Sequence, residues 1–320
     1  MKTMKAVVIS STCGCEGISL SDVPLPEARA GWVLVKVAGF GLNHAEQVVR
    51  RFEIAEPYIK KPLIPGIECV GTIEDASDSG FRRGQCVAAL MGGMGRSFDG
   101  SYAQYVLAPS SHVFAIAPLL PWEELAAIPE TWYTAWGSLF LRLKLQKGDR
   151  LLVRGATCAL GQAALSLASW AGAKVFATTY RKEKLNLIGD GAEALLDDGK
   201  LSVRLGGAFD KVLDLVGPSC FFDTASLARE GGIVCTTGFL GGSYAVRSFR
   251  PILDNLRGVY LTSFWSNSPR QEDFDGIMGF FRESGAHPDI GAVFGLSEIA
   301  KAVALQDKGG ANGKIVVMAC

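Results

Sequence analysis

The stretch from Leu151 to Lys184 constrains this chain more than any other part of it. An apolar run, Leu151-Leu152-Val153, follows the turn-like Lys147-Gly148-Asp149. A Gly-containing turn spans Gly155 to Gly161, and Gln162 to Ala171 is rich in Ala and Leu before Gly172, a helix-stopping residue. Lys174 to Thr178 then reads as a second strand, completing a strand–turn–helix–strand unit of ordinary βαβ size. In such a unit the turn brings the helix N-terminus, with its free N–H groups, to the end of the sheet, where a pyrophosphate can sit. Small residues at the turn let backbone approach phosphate, and Ala163, Ala164 and Ala168 let the helix lie close to the sheet.

The dinucleotide fingerprint G-x-G-x-x-G is matched only in part, as Gly155-x-x-Cys158-x-x-Gly161, with Ala156, Cys158 and Ala159 where more glycines are expected. A tight βα turn in any parallel sheet has the same composition. The far end of the second strand separates the two readings. An acid that holds a ribose 2′-OH belongs roughly 20 residues beyond the glycines. Ala177, Thr178, Thr179 and Tyr180 carry none, and Arg181, Lys182 and Lys184 follow. Cations there favour a 2′-phosphate and hence NADPH. The competing reading is a solvated helix start, although cations are unfavourable at a helix N-terminus.

At 320 residues the chain exceeds what one core usually spans, so two domains are expected. Lys plus Arg (32) equals Asp plus Glu (32), which argues against nucleic-acid or anionic-membrane partners. No apolar run approaches the ~20 residues that span a bilayer. The N-terminal apolar stretch is too short for a secretion signal and reads as a first strand. Eight scattered cysteines suit a reducing cytoplasm.

The first 120 or so residues are β-rich. Ala6–Ser10, Trp32–Ala38, Gly71–Glu74 and Gln85–Ala89 are strand candidates, interrupted by a helical Asn43–Phe52. From Pro121 helices alternate with strands at Leu151–Val153, Lys174–Thr178, Ala194–Leu196, Lys211–Val216, Gly232–Thr236 and Val259–Phe264. That alternation predicts an α/β doubly wound parallel sheet. Beyond Ser266 come a helix (Glu272–Ser284), a strand at Ala292–Phe294, a helix (Glu298–Lys308) and a strand, Lys314–Met318. These are expected to return to the first domain. The result is a discontinuous catalytic domain, residues 1–121 and 266–320, around a Rossmann domain, residues 122–265.

Several segments together resemble the medium-chain dehydrogenase/reductase superfamily. They are Phe40-Gly41-Leu42-Asn43, Pro65-Gly66-Ile67-Glu68-Cys69-Val70-Gly71, Phe98-Asp99-Gly100-Ser101-Tyr102-Ala103-Gln104-Tyr105 and Gly313-Lys314-Ile315-Val316-Val317. Pro129 to Trp136 and Asp214-Leu215-Val216-Gly217 fit the same pattern. Within the superfamily the chain looks like the zinc-independent quinone oxidoreductase and enoyl reductase group, which implies a GroES-like catalytic domain beside the Rossmann domain. It departs from the family's glycine loop at Cys158, where the family has a glycine.

Zinc-dependent members place a Cys in the first-domain loop and a Gly-His-Glu after it. Here the loop is Gly39-Phe40-Gly41-Leu42-Asn43-His44 and the later motif is Gly66-Ile67-Glu68. Met91 to Pro109 contains no Cys, so the four-Cys structural lobe is missing, and Cys13 with Cys15 are too few for a tetrahedral site. His44, His112 and His287 have no ligand spacing. No metal is expected. Cys69 and Cys86 read as packed thiols rather than nucleophiles.

Without a metal to hold a developing alkoxide, a simple ketone is a poor acceptor, whereas a quinone or activated C=C delocalises the charge itself. The resemblance implies Asn43 and Thr134 at the nicotinamide end, and Gly155, Cys158, Ala159, Leu160 and Gly161 at the pyrophosphate. It implies Thr179, Tyr180, Arg181 and Lys184 around the 2′-phosphate. Val216 and the loop Gly238-Phe239-Leu240 would line the cofactor, with Phe264 beside it and Asn312 and Lys314 closing over it. Val48 and Ile54 stand where relatives carry tyrosines after the Asn; Tyr58 is the nearest replacement as proton donor, or else a surface-loop residue. Trp132, Phe264 and Trp265 read equally as an aromatic pocket or as domain-interface core. The expected activity is NADPH-dependent reduction of a small molecule, a quinone or an α,β-unsaturated carbonyl. The alternative is a non-redox NADPH sensor or isomerase on the same fold. The apolar Val259–Trp265 edge favours a homodimer, unless Ser263 and Ser266 with the following loop cover it within one chain.

Overall fold

The computed structural model describes residues 2–250, 252–254, 256, 258–309 and 311–319. The first strands are β1 (Thr3–Val7), β2 (Leu20–Pro24) and β3 (Trp32–Gly41), followed by helix α1 (His44–Arg51) and strands β4 (Glu68–Asp75), β5 (Cys86–Leu90), β6 (Tyr105–Pro109) and β7 (Val113–Ala115). Helices α2 (Trp122–Ala126) and α3 (Pro129–Trp136) come next. Then β8 (Arg150–Arg154), α4 (Ala159–Trp170), β9 (Lys174–Thr179), β10 (Ala192–Leu196), α5 (Ser202–Leu205), β11 (Phe209–Asp214), α6 (Phe221–Leu227), β12 (Ala228–Thr236) and β13 (Tyr260–Ser263) follow. The last elements are α7 (Gln271–Ser284), β14 (Ile290–Gly295), α8 (Ile299–Lys308) and β15 (Lys314–Met318).

Two compact units result, Met1–Glu130 with Asn267–Cys320, and Thr131–Ser266. In the first unit, β14, β15, β3, β4, β5 and β7 form a sheet in that order, with β6 also paired to β3. Its strand β3 is apolar along almost its whole length and is buried except for half-buried Trp32 and exposed Lys36, as expected of a central strand covered on both faces. Phe40 stacks on Tyr102 at 4.9 Å between ring centres. Helix α8 contributes Ile299, Ala302 and Val303 to the same core. The returning β14–α8–β15 segment thus completes this sheet, with β15 antiparallel to β3. Helix α2 belongs here as well, so the division falls after Glu130 rather than at residue 121; Ala126 lies against Gly39 of β3.

The first strand starts at Thr3 and ends at Val7, earlier than the apolar run at Ala6–Ser10 suggests, and Ile9 makes only an isolated bridge to Leu63. The reason is its ribbon pairing with β2, in which one face is exposed and polar residues are tolerated.

The second unit is a six-stranded sheet in the order β10-β9-β8-β11-β12-β13, every neighbour parallel. That is the 3-2-1-4-5-6 arrangement of a dinucleotide-binding sheet, with the order reversing between β8 and β11. Helix α4 packs its small face, Ala163, Ala164, Leu167 and Ala168, inward. Among the described residues no helix is long and apolar enough to cross a membrane.

Candidate active site

In the first unit β3 ends at Gly41 and α1 begins at His44, so Asn43 is the N-cap, in extended backbone. Glu46, three residues on, accepts the Asn43 backbone N–H at 2.7 Å, half of a capping box. The Asn43 amide is held at both ends. Its Nδ2 donates to Glu68 Oε1 at 2.7 Å and to the Gly41 carbonyl at 3.3 Å. Its Oδ1 accepts from Lys314 Nζ at 2.7 Å. Lys314 also pairs with Glu68 at 2.8 Å, both side chains being buried. Glu68 Oε2 takes the Glu130 N–H at 2.6 Å, so both carboxylate oxygens are satisfied, the condition for a buried ion pair to persist.

Behind this triad Glu46 is buried, its Oε2 also accepting the Tyr102 hydroxyl at 2.7 Å and its Oε1 the Ile67 N–H at 3.0 Å. Burial pushes the Glu46 carboxyl up to about 7, against the opposing pull of the hydrogen bonds from the Asn43 N–H and the Tyr102 hydroxyl. Burial, and then the Glu46 charge, push the Tyr102 phenol up as well. The Lys314 ammonium thus touches both Glu68 and Asn43. Asn312 is exposed, and Tyr58 is 61% exposed, the surface-loop alternative. The histidines have separate partners: His44 meets Gln47, His112 the Asn267 carbonyl and His287 Glu124. Sequence reasoning missed Glu46 and Tyr102. The Asn-x-x-Glu spacing at Asn43 was the available signal for Glu46.

In the second unit Gly155 follows β8 with a φ of +84°, which suits glycine. Its N–H donates to Thr178 Oγ1 at 3.1 Å, and the Ala156 N–H to the Thr178 carbonyl at 2.8 Å. Cys158 is the N-cap of α4, its Sγ accepting the Gly161 N–H at 3.4 Å and facing the Gly155 carbonyl at 3.6 Å. The thiol is folded back onto its own loop, and burial raises its pKa. A Cβ on Gly161 would overlap the Ala156 carbonyl, so the helix can approach the turn this closely only with glycine there.

Two further turns adjoin this one. After β11, Asp214 Oδ1 accepts the Val216 and Gly217 N–H groups at 2.9 and 3.0 Å. After β12, Gly238 lies so close to the Leu215 backbone that a Cβ would collide with it. The Val216 and Leu240 side chains flank Gly155. The structure thus brings Gly155, Cys158, Gly161, Val216, Gly238 and Leu240 together beyond the C-terminal ends of the neighbouring strands β8, β11 and β12, with Phe239 exposed in the same loop as Leu240.

At the end of β9, Thr179 Oγ1 meets Thr157 Oγ1 at 3.2 Å and accepts the Arg181 N–H at 3.2 Å. Tyr180 is 73% exposed, and its hydroxyl accepts Arg181 Nε at 2.8 Å. Lys184 lies in a 3-10 segment, Lys182–Leu187, rather than at the start of an α-helix, so the dipole objection to cations there largely lapses.

Thr134 is buried in α3, which runs on into a π-helical turn, Gly137–Arg142. Ser138 Oγ donates to the Thr134 carbonyl at 2.7 Å and lies 2.9 Å from Thr237 Oγ1. The Phe264 ring covers Gly137 and meets Tyr133 edge-on at 5.4 Å. Trp132 and Phe264 are buried, whereas Trp265 is 74% exposed.

Two family models match the chain. One, described as alcohol dehydrogenase GroES-like domain, covers residues 29–118, and the other, described as zinc-binding dehydrogenase, covers residues 191–317. The human protein named quinone oxidoreductase is 26% identical over 333 aligned positions, spanning 99% of this chain and 98% of that protein. A crystal structure titled NAD-dependent alcohol dehydrogenase superposes with a TM-score of 0.85 at 26% identity, covering 99% of this chain and 100% of that one. The quinone oxidoreductase of Coxiella burnetii superposes with a TM-score of 0.85 at 21% identity over the full length of both chains, a likeness of fold. One family match falls on the first sheet, the other runs from β10 through β13 and back into the first sheet up to β15, and the relatives align from end to end. The chain is an oxidoreductase of the medium-chain dehydrogenase/reductase superfamily, in its quinone oxidoreductase-like group.

Proposed function

We propose that this chain transfers a hydride from NADPH to a quinone or to the activated C=C of an α,β-unsaturated carbonyl compound, without zinc. The end of β9 carries the cofactor choice. No carboxylate stands at Thr178, Thr179 or Tyr180 to accept a ribose 2′-OH, and Arg181 follows with its guanidinium turned along the exposed Tyr180 ring. When bound, NADPH supplies the hydride. The turn from Gly155 to Gly161 would approach its pyrophosphate, Val216 and Gly238–Leu240 would line it, and Arg181 with Lys184 would hold the 2′-phosphate. Thr134 and Asn43 keep the roles that the resemblance assigns them, toward nicotinamide and substrate.

The donor set fits zinc poorly. Where zinc members supply a thiolate, this chain has the Asn43 amide, and the Lys314 ammonium already lies within 2.8 Å of both Asn43 Oδ1 and Glu68 Oε1. A divalent cation there would face that positive charge. Among the described residues no three His, Cys, Asp or Glu side chains are grouped to hold a metal.

An acceptor that spreads its own negative charge suits such a site. Hydride adds to the β-carbon of an enone, charge moves to the carbonyl oxygen, and the α-carbon takes one proton; a quinone takes hydride and a proton to become a hydroquinone. The exposure of Tyr58 favours water as the proton source. We further propose a homodimer through the β13 edge, where Tyr260 and Leu261 are exposed.

The test follows NADPH oxidation against quinones, 2-enals, enones and saturated ketones, with elemental analysis of protein purified without added metal. Turnover of enones or quinones alone, with well under one zinc per chain, is expected. Tight NADPH binding without oxidation by any acceptor, or stoichiometric zinc lost together with activity on chelation, overturns the reading.

A further inference from the structure

We propose that Arg154 is a positioning residue that couples the two cofactor turns of the Rossmann unit; this rests on the reading that those turns hold a dinucleotide. Arg154 ends β8 one residue before Gly155, and its side chain is 1% exposed. Its guanidinium forms a bidentate fork on Asp197, Nε to Oδ2 at 2.7 Å and Nη2 to Oδ1 at 3.0 Å. Nη1 reaches Thr224 Oγ1 at 2.9 Å and Asp223 Oδ2 at 2.8 Å on α6. One buried cation thus joins the loop after β10 to the helix after β11.

From Asp197 the chain of contacts runs to the first turn. Thr178 Oγ1 lies 3.5 Å from Asp197 Oδ2 and accepts the Gly155 N–H at 3.1 Å. From Thr224 it runs to the second. Thr224 Oγ1 lies 3.3 Å from Cys220 Sγ, which contacts the Gly217 carbonyl at 3.4 Å and Asp214 Oδ1 at 3.9 Å. Asp214 Oδ1 in turn accepts the Val216 and Gly217 N–H groups. The Arg154 main chain adds a direct tie, its carbonyl accepting the Leu215 N–H at 3.0 Å.

Stability alone is a weak account of this arrangement, because a well-packed apolar side chain generally serves as well as a buried ion pair. A planar fork does something else: it fixes the orientation of Asp197 and, through Thr178, that of the Gly155 amide. Lysine carries the same charge without the fork, so Arg154→Lys separates geometry from charge. Arg154→Ala would strand the largely covered carboxylates of Asp197 and Asp223 and test folding only.

Amide hydrogen exchange on the ligand-free protein reads the turns directly, and NADPH titration by protein fluorescence reads their consequence. Arg154→Lys is expected to speed exchange at Gly155 and at Val216–Gly217 together and to weaken NADPH by about tenfold, the size of one charge-assisted hydrogen bond. Thr178→Val is expected to speed exchange at Gly155 only, with a smaller loss of affinity. Exchange that rises uniformly over the whole sheet with NADPH affinity within twofold, or that rises at neither turn, overturns the proposal. If the wild-type protein binds no dinucleotide, the functional reading fails, while the paired exchange rates still decide whether Arg154 couples the turns.

Discussion

Glu46 makes the stability of the first unit depend on pH in an unusual direction. The perturbation is a titration through neutrality, compared with Glu46→Gln, which keeps the shape and removes the ionisation. Burial lifts this carboxyl from 4.5 to about 7. The folded state therefore holds the proton more tightly than the unfolded chain. The associated stability is fully present below pH 4.5 and is lost as pH rises through about 7. At ~1.36 kcal/mol per pH unit the loss is about 3 kcal/mol, a large share of what holds a domain together. The Gln variant is expected to be less stable at acid pH, because its NH2 must face one of the donors that Glu46 now accepts from Asn43, Ile67 or Tyr102. Urea unfolding followed by far-UV circular dichroism between pH 4.5 and 8.5 measures both proteins. The wild-type advantage over Glu46→Gln should shrink by about 3 kcal/mol across that range. A constant difference, or one that grows with pH, refutes the reasoning, since it would mean that Glu46 is ionised in the folded protein throughout.

Other outcomes follow from the same geometry. NADPH should bind at least about tenfold more tightly than NADH, a charge-assisted bond to phosphate being worth ~1.5–3 kcal/mol; equal affinities, or an unchanged ratio in Arg181→Ala, contradict the assignment at the end of β9. Asn43→Ala should lower turnover while leaving NADPH affinity within a few fold, and a comparable loss of affinity would move Asn43 from the reaction to cofactor binding. Light scattering at micromolar concentration should give twice the 34.1 kDa chain mass, and a monomer mass would remove β13 as an interface.

The alternation of strands and helices after Pro121 was legible because each βαβ unit is local, and the glycines of the first turn mark a close approach that only they permit. Lys314 shows where such reading stops. Its partners Asn43 and Glu68 are far away in sequence, and no periodicity links them, so the buried pairing of its ammonium with the Glu68 carboxylate could not be read from the chain. Arg154 carries a weak sequence signal, a charge at the end of the apolar run Leu151-Leu152-Val153, and its burial requires a counter-ion. Its partners Asp197 and Asp223 come from loop and helix positions whose direction depends on the assembled sheet. The exposure of Tyr58 and Trp265 was equally unreadable, since composition does not say which side of a loop faces water.

The pairing of β15 with β3 has a kinetic consequence. Residues 316–318 supply the hydrogen-bonding neighbour of Gly39–Gly41, so that part of the strand at the centre of the first unit keeps an open edge until residues 316–318 have been made. At typical synthesis rates of ~5–20 residues per second, the stretch from Glu130 to Lys314 takes roughly ten to forty seconds to emerge. The parallel sheet of Thr131–Ser266, contiguous in sequence, can close during that interval, while Phe40 and its neighbours wait beside an unpaired backbone. Nascent chains stalled between those points would be the species most prone to aggregate, and the ones that a chaperone has most reason to hold.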